Sequence, residues 1–394
     1  MSADNKNNDL SFLTNWQSNK DYFQMLNLMA SLSRLFSEND TPYLDYRLAE
    51  NLFCKYYNAI NDARSCTAYD ARIHNLGIGI KTFIINNHST EKIAEFNKLK
   101  TKLDAVKNVE LARLLAQYRN DRIKFANNQY DVNHSIYHIV GRKNNQLIIF
   151  NTPYDLINLD EIKDVKETSK SITFSDDKNF YLFNKSKSVL MKRFEVSKDH
   201  MIIPIDILKD PLSLLSTLIK EKTNQTIYYP KHNALKKGKD YVILPLYSKR
   251  GGKPHVPERS GLNQWNAKGR PRNANEIYIP IPRAIHKNYP DFFPNRDVAF
   301  NLILPNGKIL SASICQEGNK ALMSNPNSEL GEWLLRKVLN KKEGELITFD
   351  DLLRFGVDSV LIQKIENAND PNQTDFKISF ANSIYESYDE FIND

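Results

Sequence analysis

The chain is poor in cysteine and lacks any apolar run long enough to cross a membrane. Its three cysteines, Cys54, Cys66 and Cys315, are far apart, and no CxxC or CxxH spacing exists. This excludes a disulfide framework and a cysteine-ligated zinc site, and it predicts a reducing, cytoplasmic environment. The N-terminal stretch has no apolar segment, so we expect neither a signal peptide nor a membrane partner.

Several catalytic motifs are also missing. No P-loop and no GxGxxG occurs, so we expect no nucleotide cofactor. No HxK exists, which excludes the chemistry of phospholipase-D-like nucleases, and without GxSxG a serine hydrolase has no nucleophile elbow. Hydrophobic content of 41% is nevertheless enough for real cores, and 394 residues predict two or three domains.

Positive charge is present in excess and is unevenly distributed. The formal net charge is +7. Residues 231–345 hold 20 basic and 10 acidic side chains, whereas residues 346–394 hold 3 and 10. A basic body followed by an acidic tail predicts a surface for a polyanion within 231–345.

The most informative segment is 247–272, YSKRGGKPHVPERSGLNQWNAKGRPR. Seven basic residues and one acid are interleaved with glycine, proline and amides. This composition predicts a long basic loop, in which cations attract phosphate and Arg, Asn and Gln contact base edges. The candidate DNA-binding residues here are Lys249, Arg250, Lys253, Arg259, Asn263, Trp265, Asn266, Lys268, Arg270 and Arg272. Trp265 could instead serve as a core filler.

A second loop between a predicted strand and helix is rich in amides. It adds the candidates Gln316, Asn319, Lys320, Ser324, Asn325 and Asn327. Amide side chains suit adenine, and cations suit guanine.

A candidate active site lies in TAYDARIHNLGIGIKTFI, residues 67–84, which has the pattern of two strands joined by a turn. Asp70 and Lys81 on neighbouring strands can converge, as a carboxylate for Mg²⁺ and a cation that offsets developing charge. The alternative is structural: Asp70 caps the turn and Lys81 extends to solvent from a sheet edge.

Asp70 and Gly79-Ile80-Lys81 resemble the PD-(D/E)XK nuclease core, a helix-flanked mixed sheet. Tyr69 stands in place of the motif's proline, and Gly79 in place of its second acid. In members lacking that acid a helix can supply it, so the resemblance implies catalysis by Glu50, Asp70 and Lys81, with Asp70 and Glu50 holding Mg²⁺.

Residues 241–380 resemble the C-terminal domains of certain Type II restriction endonucleases, including the NgoFVII-like family, whose pseudobarrel is related to that of plant B-three transcription factors. The resemblance is carried by ILPLYS, SGLNQW, EIYIPIP, DFFP, CQEGNKALMSNPNSELGEWL and FGVDSV. It implies two arms that straddle the major groove, residues 248–275 (the first arm) and 316–327 (the second arm).

The local patterns predict helices over 21–36, from Thr41-Pro42 onward and within 91–125. They also predict hairpins over 136–150 and 171–183, and a small barrel after residue 241.

We therefore expect an α+β protein: a PD-(D/E)XK-like nuclease domain over 1–225, a linker over 226–240, and a DNA-recognition pseudobarrel with an acidic tail over 241–394. The predicted function is a Mg²⁺-dependent, sequence-specific endonuclease acting on double-stranded DNA. The alternatives are a DNA-binding regulator without catalysis and a nuclease that requires a modified base. Cutting both strands needs a homodimer or a monomer that binds again, and the sequence does not choose.

Overall fold

The computed structural model describes residues 12–63, 68–86, 89–222, 235–366, 374–380 and 387–393. The chain divides into two compact units. Unit 1 takes residues up to Ala63, Ala68–Asn120 and Val132–His232, and unit 2 takes Asp121–Asp131 and the residues from Asn233 onward. Residues 226–234 of the predicted linker lie outside the described residues, as do 381–386 and 394 of the predicted tail. The described part of the linker, 235–240, forms a turn in which Asp240 N–H donates to the Lys236 carbonyl at 2.8 Å.

Helices and two sheets make up unit 1. The helices are α1 (Lys20–Ser31), α2 (Tyr46–Tyr56), α3 (Lys100–Asp104), α4 (Asn108–Tyr130, whose last turns group with unit 2) and α5 (Pro211–Lys222). The strands are β1 (Ile60–Asn61), β2 (Ala71–Ile73), β3 (Leu76–Ile84), β4 (Thr90–Glu95), β5 (His134–Lys143), β6 (Gln146–Pro153), β7 (Lys163–Glu167), β8 (Ser171–Ser175), β9 (Phe180–Asn184), β10 (Val189–Arg193) and β11 (Met201–Pro204).

The first sheet of unit 1 is mixed and has the order β1-β2-β3-β5-β6-β11. β2 and β3 form an antiparallel pair, and β3 runs parallel to β5. The apolar side chains of α1 and α2 and those on one face of this sheet form a single buried cluster around Tyr22, Phe53 and Ile78. The helices α1 and α2 are thereby fixed on the sheet that carries Asp70 and Lys81.

Two local predictions for unit 1 were wrong. The second helix begins at Tyr46, not at Thr41-Pro42, because the Asp45 side chain accepts hydrogen bonds from the Arg47 and Leu48 N–H groups. Residues 90–95 form a strand and not the start of a helix, because they pair with β10, far away in sequence. The hairpins predicted over 136–150 and 171–183 are confirmed as β5-β6 and β8-β9.

Unit 2 is rich in strands. They are β12 (Tyr241–Pro245), β13 (Ser248–Arg250), β14 (Lys253–His255), β15 (Ile279–Pro280), β16 (Phe300–Ile303), β17 (Ile309–Cys315), β18 (Ala321–Ser324), β19 (Ser359–Glu366) and β20 (Thr374–Phe380). The helices are α6 (Arg283–Asn288), α7 (Glu329–Gly331, continued by a π-helical stretch Glu332–Val338), α8 (Phe349–Phe355) and α9 (Tyr388–Asn393).

The main sheet of unit 2 has the order β12-β19-β20-β16-β17-β18-β15. It surrounds one large apolar core in which Phe376, Trp333 and Phe391 are buried. Its edge strands β12 and β15 approach each other. Within the described residues they do not pair, so the sheet is not a closed barrel. Pro280 in β15 lacks the N–H group that closure would need there. The protein is thus mixed α/β with several sheets.

Candidate functional site

Asp70 and Lys81 are brought together by the β2-β3 hairpin. Asp70 directly precedes β2, and its N–H group donates to the Ile78 carbonyl at 2.9 Å. One carboxylate oxygen of Asp70, Oδ2, accepts from the Ile80 N–H at 2.7 Å and lies 3.5 Å from Lys81 Nζ. Both side chains keep about a quarter of their surface exposed, at 23% and 24%. The carboxylate is therefore oriented by backbone and ammonium but stays open to solvent.

Glu50 belongs to the same electrostatic cluster. It lies on the buried face of α2, which packs on β3, and only 5% of the residue is exposed. Burial raises the pKa of Glu50 to about 7, and the negative charge of Asp70 adds to the effect, while Arg47 and Lys81 oppose it. Arg47 Nη1 is its ion-pair partner at 3.1 Å. Burial works against the charge of Lys81, yet the neighbouring Asp70 carboxylate raises the pKa of that ammonium overall. Two acids, Glu50 and Asp70, thus share one electrostatic cluster with the cations Arg47 and Lys81.

The structure shows what surrounds Gly79 and Tyr69, the two positions at which the sequence departs from the motif it resembles. A side chain at Gly79 would meet the Tyr154 and Tyr137 rings at 2.7 and 2.9 Å, so no acid fits there. Tyr69, in place of the motif's proline, is buried and packs edge-on against Tyr154. Glu50 on α2 is an acid from another element whose charge interacts with that of Asp70.

One buried cation near these tyrosines, Lys192, was missed from the sequence. Lys192 on β10 is 4% exposed and lies over the Tyr137 ring at 5.6 Å. Desolvation lowers the pKa of Lys192 to about 8, and the charge of Arg119 contributes. The signal was the alternation of β10, in which Leu190 and Lys192 share the buried face.

The basic segment 247–272 is more ordered than the predicted loop. β13 and β14 form a hairpin whose turn is Gly251-Gly252, both at positive φ, which is the backbone that a two-residue hairpin requires. Arg250 and Lys253 flank this turn and are exposed. A Cβ atom added at either glycine would meet nothing within 4 Å, so the turn itself is open to solvent. Lys249, at the base of the hairpin, instead forms an ion pair with Asp389 of α9 at 2.7 Å. The hairpin tip therefore presents cations, whereas the acidic tail neutralises its base.

Not every candidate in the first arm faces outward. Asn263 is fully buried, and its side chain donates to the Pro257 and Ile347 carbonyls and accepts from the Ile347 N–H at 2.9–3.0 Å. Trp265 packs on the core of unit 2, and Asn266 donates to the Glu258 carbonyl. Asn263 does not suit a contact with bases, because its amide is satisfied within the fold, whereas Trp265 and Asn266 are half-buried. Arg259, Lys268 and Arg270 are exposed.

The second arm shows the same mixture. Gln316 and Asn319 are half-buried and adopt positive φ, and Lys320 and Asn325 are exposed. Ser324 is buried: its hydroxyl accepts from the Leu330 N–H at 2.9 Å and donates to the Pro326 carbonyl. Ser324 therefore fixes the start of α7, and its hydroxyl, like the amide of Asn263, is not available for a contact with DNA.

Three candidates are joined by an acid that sequence reasoning missed. Glu276 is 1% exposed and binds Arg270 and Arg272 of the first arm and Asn327 of the second. In the sequence Glu276 is the first residue of the run EIYIPIP, which carries the resemblance, but that run assigned no role to the glutamate.

Comparison with known families gives one result. Residues 234–366 match the family described as the NgoFVII C-terminal B3-like DNA-binding domain. No curated protein matches the chain. The helices of the described residues include none that is both long and apolar enough to span a membrane.

Proposed function

We propose that this protein is a sequence-specific, Mg²⁺-dependent endodeoxyribonuclease of a restriction system. Unit 2 binds double-stranded DNA, and unit 1 hydrolyses the phosphodiester bond. The family match over 234–366 supports the first part, together with the exposed cations of the hairpin tip. The second part is carried by one observation: the Lys81 ammonium lies 3.5 Å from the Asp70 carboxylate, with the buried acid Glu50 coupled to both.

The residues present fit a magnesium ion. Mg²⁺ prefers oxygen ligands and is commonly held by one or two carboxylates, waters and substrate phosphates. The proposed ligands are Asp70 and Glu50. Among the described residues no group of three or more His, Cys, Asp or Glu could hold a metal, so waters and substrate phosphate oxygens would have to supply the remaining ligands. The mutual repulsion of these two acids is the kind of strain that a divalent cation relieves. Bound Mg²⁺ would supply Lewis acidity and a water of lowered pKa.

The side chains of the chain itself have clear tasks in this proposal. The Ile80 N–H holds one Asp70 oxygen and so sets the direction of the carboxylate. Lys81 stays protonated at neutral pH, because its pKa is raised, and can offset charge on the scissile phosphate. A mixed sheet packed against α1 and α2, in which β2 and β3 are antiparallel and β3 runs parallel to β5, supports this proposal, because the resembled nuclease core is a helix-flanked mixed sheet.

The second candidate is a DNA-binding regulator without catalysis. It is favoured by the extent of the family match, which covers the DNA-binding domain and not unit 1. Cleavage decides between the two candidates.

The test uses phage DNA, both methylated and unmethylated, in Mg²⁺ and in EDTA. We expect cleavage in Mg²⁺ alone, and a loss of at least about 100-fold in Asp70→Asn and Lys81→Met, since each removes a group that acts on the transition state. DNA binding by both variants should match the wild type. Lys92→Ala is the matched control, because its exposed ion pair with Glu95 is in the same unit.

Two results would contradict the proposal. Specific binding by the wild type without cleavage of either DNA would favour the regulator. Normal cleavage by Asp70→Asn would place the active site elsewhere. Cleavage of methylated DNA alone would instead identify a nuclease that requires a modified base.

A further inference from the structure

The carboxylate of Glu276 lies between the two arms and binds side chains from both. Its Oε1 lies 2.6 Å from Arg270 Nη2 and 3.3 Å from Arg272 Nε, both in the first arm. Its Oε2 accepts from Asn327 Nδ2 of the second arm at 3.1 Å. Each oxygen thus serves a different arm.

The burial of Glu276 makes these contacts matter. With 1% of the residue exposed, its charge depends on partners within the protein, since a buried carboxylate without them is strongly destabilised. Two arginines face one acid, so the local charge is positive after pairing.

The two arginines differ in how they can act. Arg272 is 12% exposed, and its Nη1 donates to the Ala267, Lys268 and Arg270 carbonyls, which fixes the backbone of the first arm. The side chain of Arg270 is 54% exposed, so the guanidinium N–H groups that do not bind Glu276 can contact DNA while Nη2 stays on the carboxylate. Arg272 holds the arm in place, and Arg270 is the group available for a base or phosphate.

The backbone next to Glu276 is itself held. Arg336, in the π-helical continuation of α7, donates to Asn275 Oδ1 and to the Ala274 carbonyl, both at 2.7 Å. Gly331 of α7 lies so close that a side chain there would meet the Asn275 carbonyl oxygen at 1.9 Å. Glu276 is therefore fixed to the helix that follows the second arm.

We propose that Glu276 is a positioning residue that couples the two arms, so that Arg270 and Asn327 recognise one DNA site as a unit. The acid does not touch DNA. It sets the direction of one side chain in each arm and transmits a displacement of either to the other. This inference rests on the proposed sequence-specific binding by unit 2.

The experiment measures a discrimination ratio, the dissociation constant for a scrambled duplex divided by that for the cognate duplex. Selection from random duplexes with the full-length wild type defines the cognate site. Glu276→Gln keeps the size of the side chain and removes its charge. We expect this variant to lower the ratio about tenfold or more while leaving affinity for the scrambled duplex nearly unchanged.

The matched control is Glu258→Gln, which removes the same charge from an exposed position in the first arm. It should keep the wild-type ratio. Glu276→Asp, which retains the charge on a shorter side chain, should recover part of the discrimination that Gln loses.

A double-mutant cycle separates coupling from a general loss of structure. The effects of Arg270→Ala and Asn327→Ala on the discrimination ratio should be non-additive by at least about threefold in the wild-type background. They should be additive in the Glu276→Gln background. If Glu276→Gln does not fold, additivity of the two alanine variants in the wild-type background overturns the inference.

The outcomes also separate the two levels of the argument. A wild type without discrimination overturns the proposed sequence-specific binding and this inference with it. A wild type that discriminates, with Glu276→Gln discriminating equally well, overturns only the coupling role of Glu276.

Discussion

Replacing Glu50 by Gln should stabilise the metal-free protein above neutral pH and abolish cleavage. The pKa of Glu50 is raised from 4.5 to about 7 by burial and by Asp70. At about 1.4 kcal/mol per pKa unit, ionising Glu50 in the folded state opposes folding by about 3 kcal/mol. Its partner Arg47 has a 44% exposed side chain, so the ion pair that Gln removes contributes little.

The sign of the pH dependence follows from the direction of the shift. A carboxyl with a raised folded pKa binds its proton more tightly in the folded state than in the unfolded state. The contribution of Glu50 to folding stability is therefore greatest below pH 4.5, falls between pH 4.5 and about 7, and is constant above that. His138 works in the opposite direction, because burial lowers its pKa to about 4, so its contribution is lost as the pH falls from 6.5.

The difference between wild type and Glu50→Gln cancels the His138 contribution. Urea unfolding in EDTA, at intervals from pH 4 to 8.5, should show little difference at pH 4 and a variant more stable by up to about 3 kcal/mol at pH 8. Asp70→Asn should lower the pKa of Glu50 and so reduce the difference. A variant that is equally stable or less stable at pH 8 would refute the reasoning that Glu50 is a strained acid.

The remaining predictions concern unit 2. In salt titrations, Arg250→Ala and Lys253→Ala should each lower the slope of log affinity against log salt by about one unit. Lys249→Ala should change the slope less, because Asp389 already pairs with Lys249, and equal slopes for all three variants would contradict this. Asn263→Ala should destabilise unit 2 by about 3 kcal/mol in thermal unfolding, because it leaves backbone groups of Pro257 and Ile347 unpaired. Competition binding should show unchanged base discrimination, and altered discrimination in a folded variant would mean that Asn263 contacts DNA. A fragment of residues 235–394 should bind cognate DNA without cutting it. In denaturant titration it should be about 2 kcal/mol less stable than unit 2 in the full chain, because it lacks Phe125, which stacks on Phe355 in the core. An equally stable fragment would show that Phe125 contributes little.

Local patterns predicted much of this protein because they act over short distances in the chain. The β5-β6 and β8-β9 hairpins follow from alternation and turn residues, and each pairs neighbouring segments. Asp70 and Lys81 could be placed together for the same reason, since one hairpin joins them. The register of that hairpin follows from its short turn.

Long-range packing decided the rest. The local pattern predicts a helix where β4 lies, because the partner strand β10 is about a hundred residues away and strand formation depends on such partners. Asn263 has a side chain suited to contacts with bases, yet its amide hydrogen-bonds the Ile347 backbone, 84 residues further on. Residue type alone cannot tell whether an amide points into a core or toward a ligand.

The sequence by itself determined the chemical classes: a basic segment with amides, an acidic end, and a hairpin bearing a carboxylate and a lysine. Only the tertiary structure decided which groups act together. It brought the buried acid Glu50 to the Asp70–Lys81 pair, and it placed Glu276 between the two arms. The physical reason is that the burial and pairing of a charged side chain depend on elements that are distant in sequence. These elements set the pKa of Glu50 and the partners of Glu276.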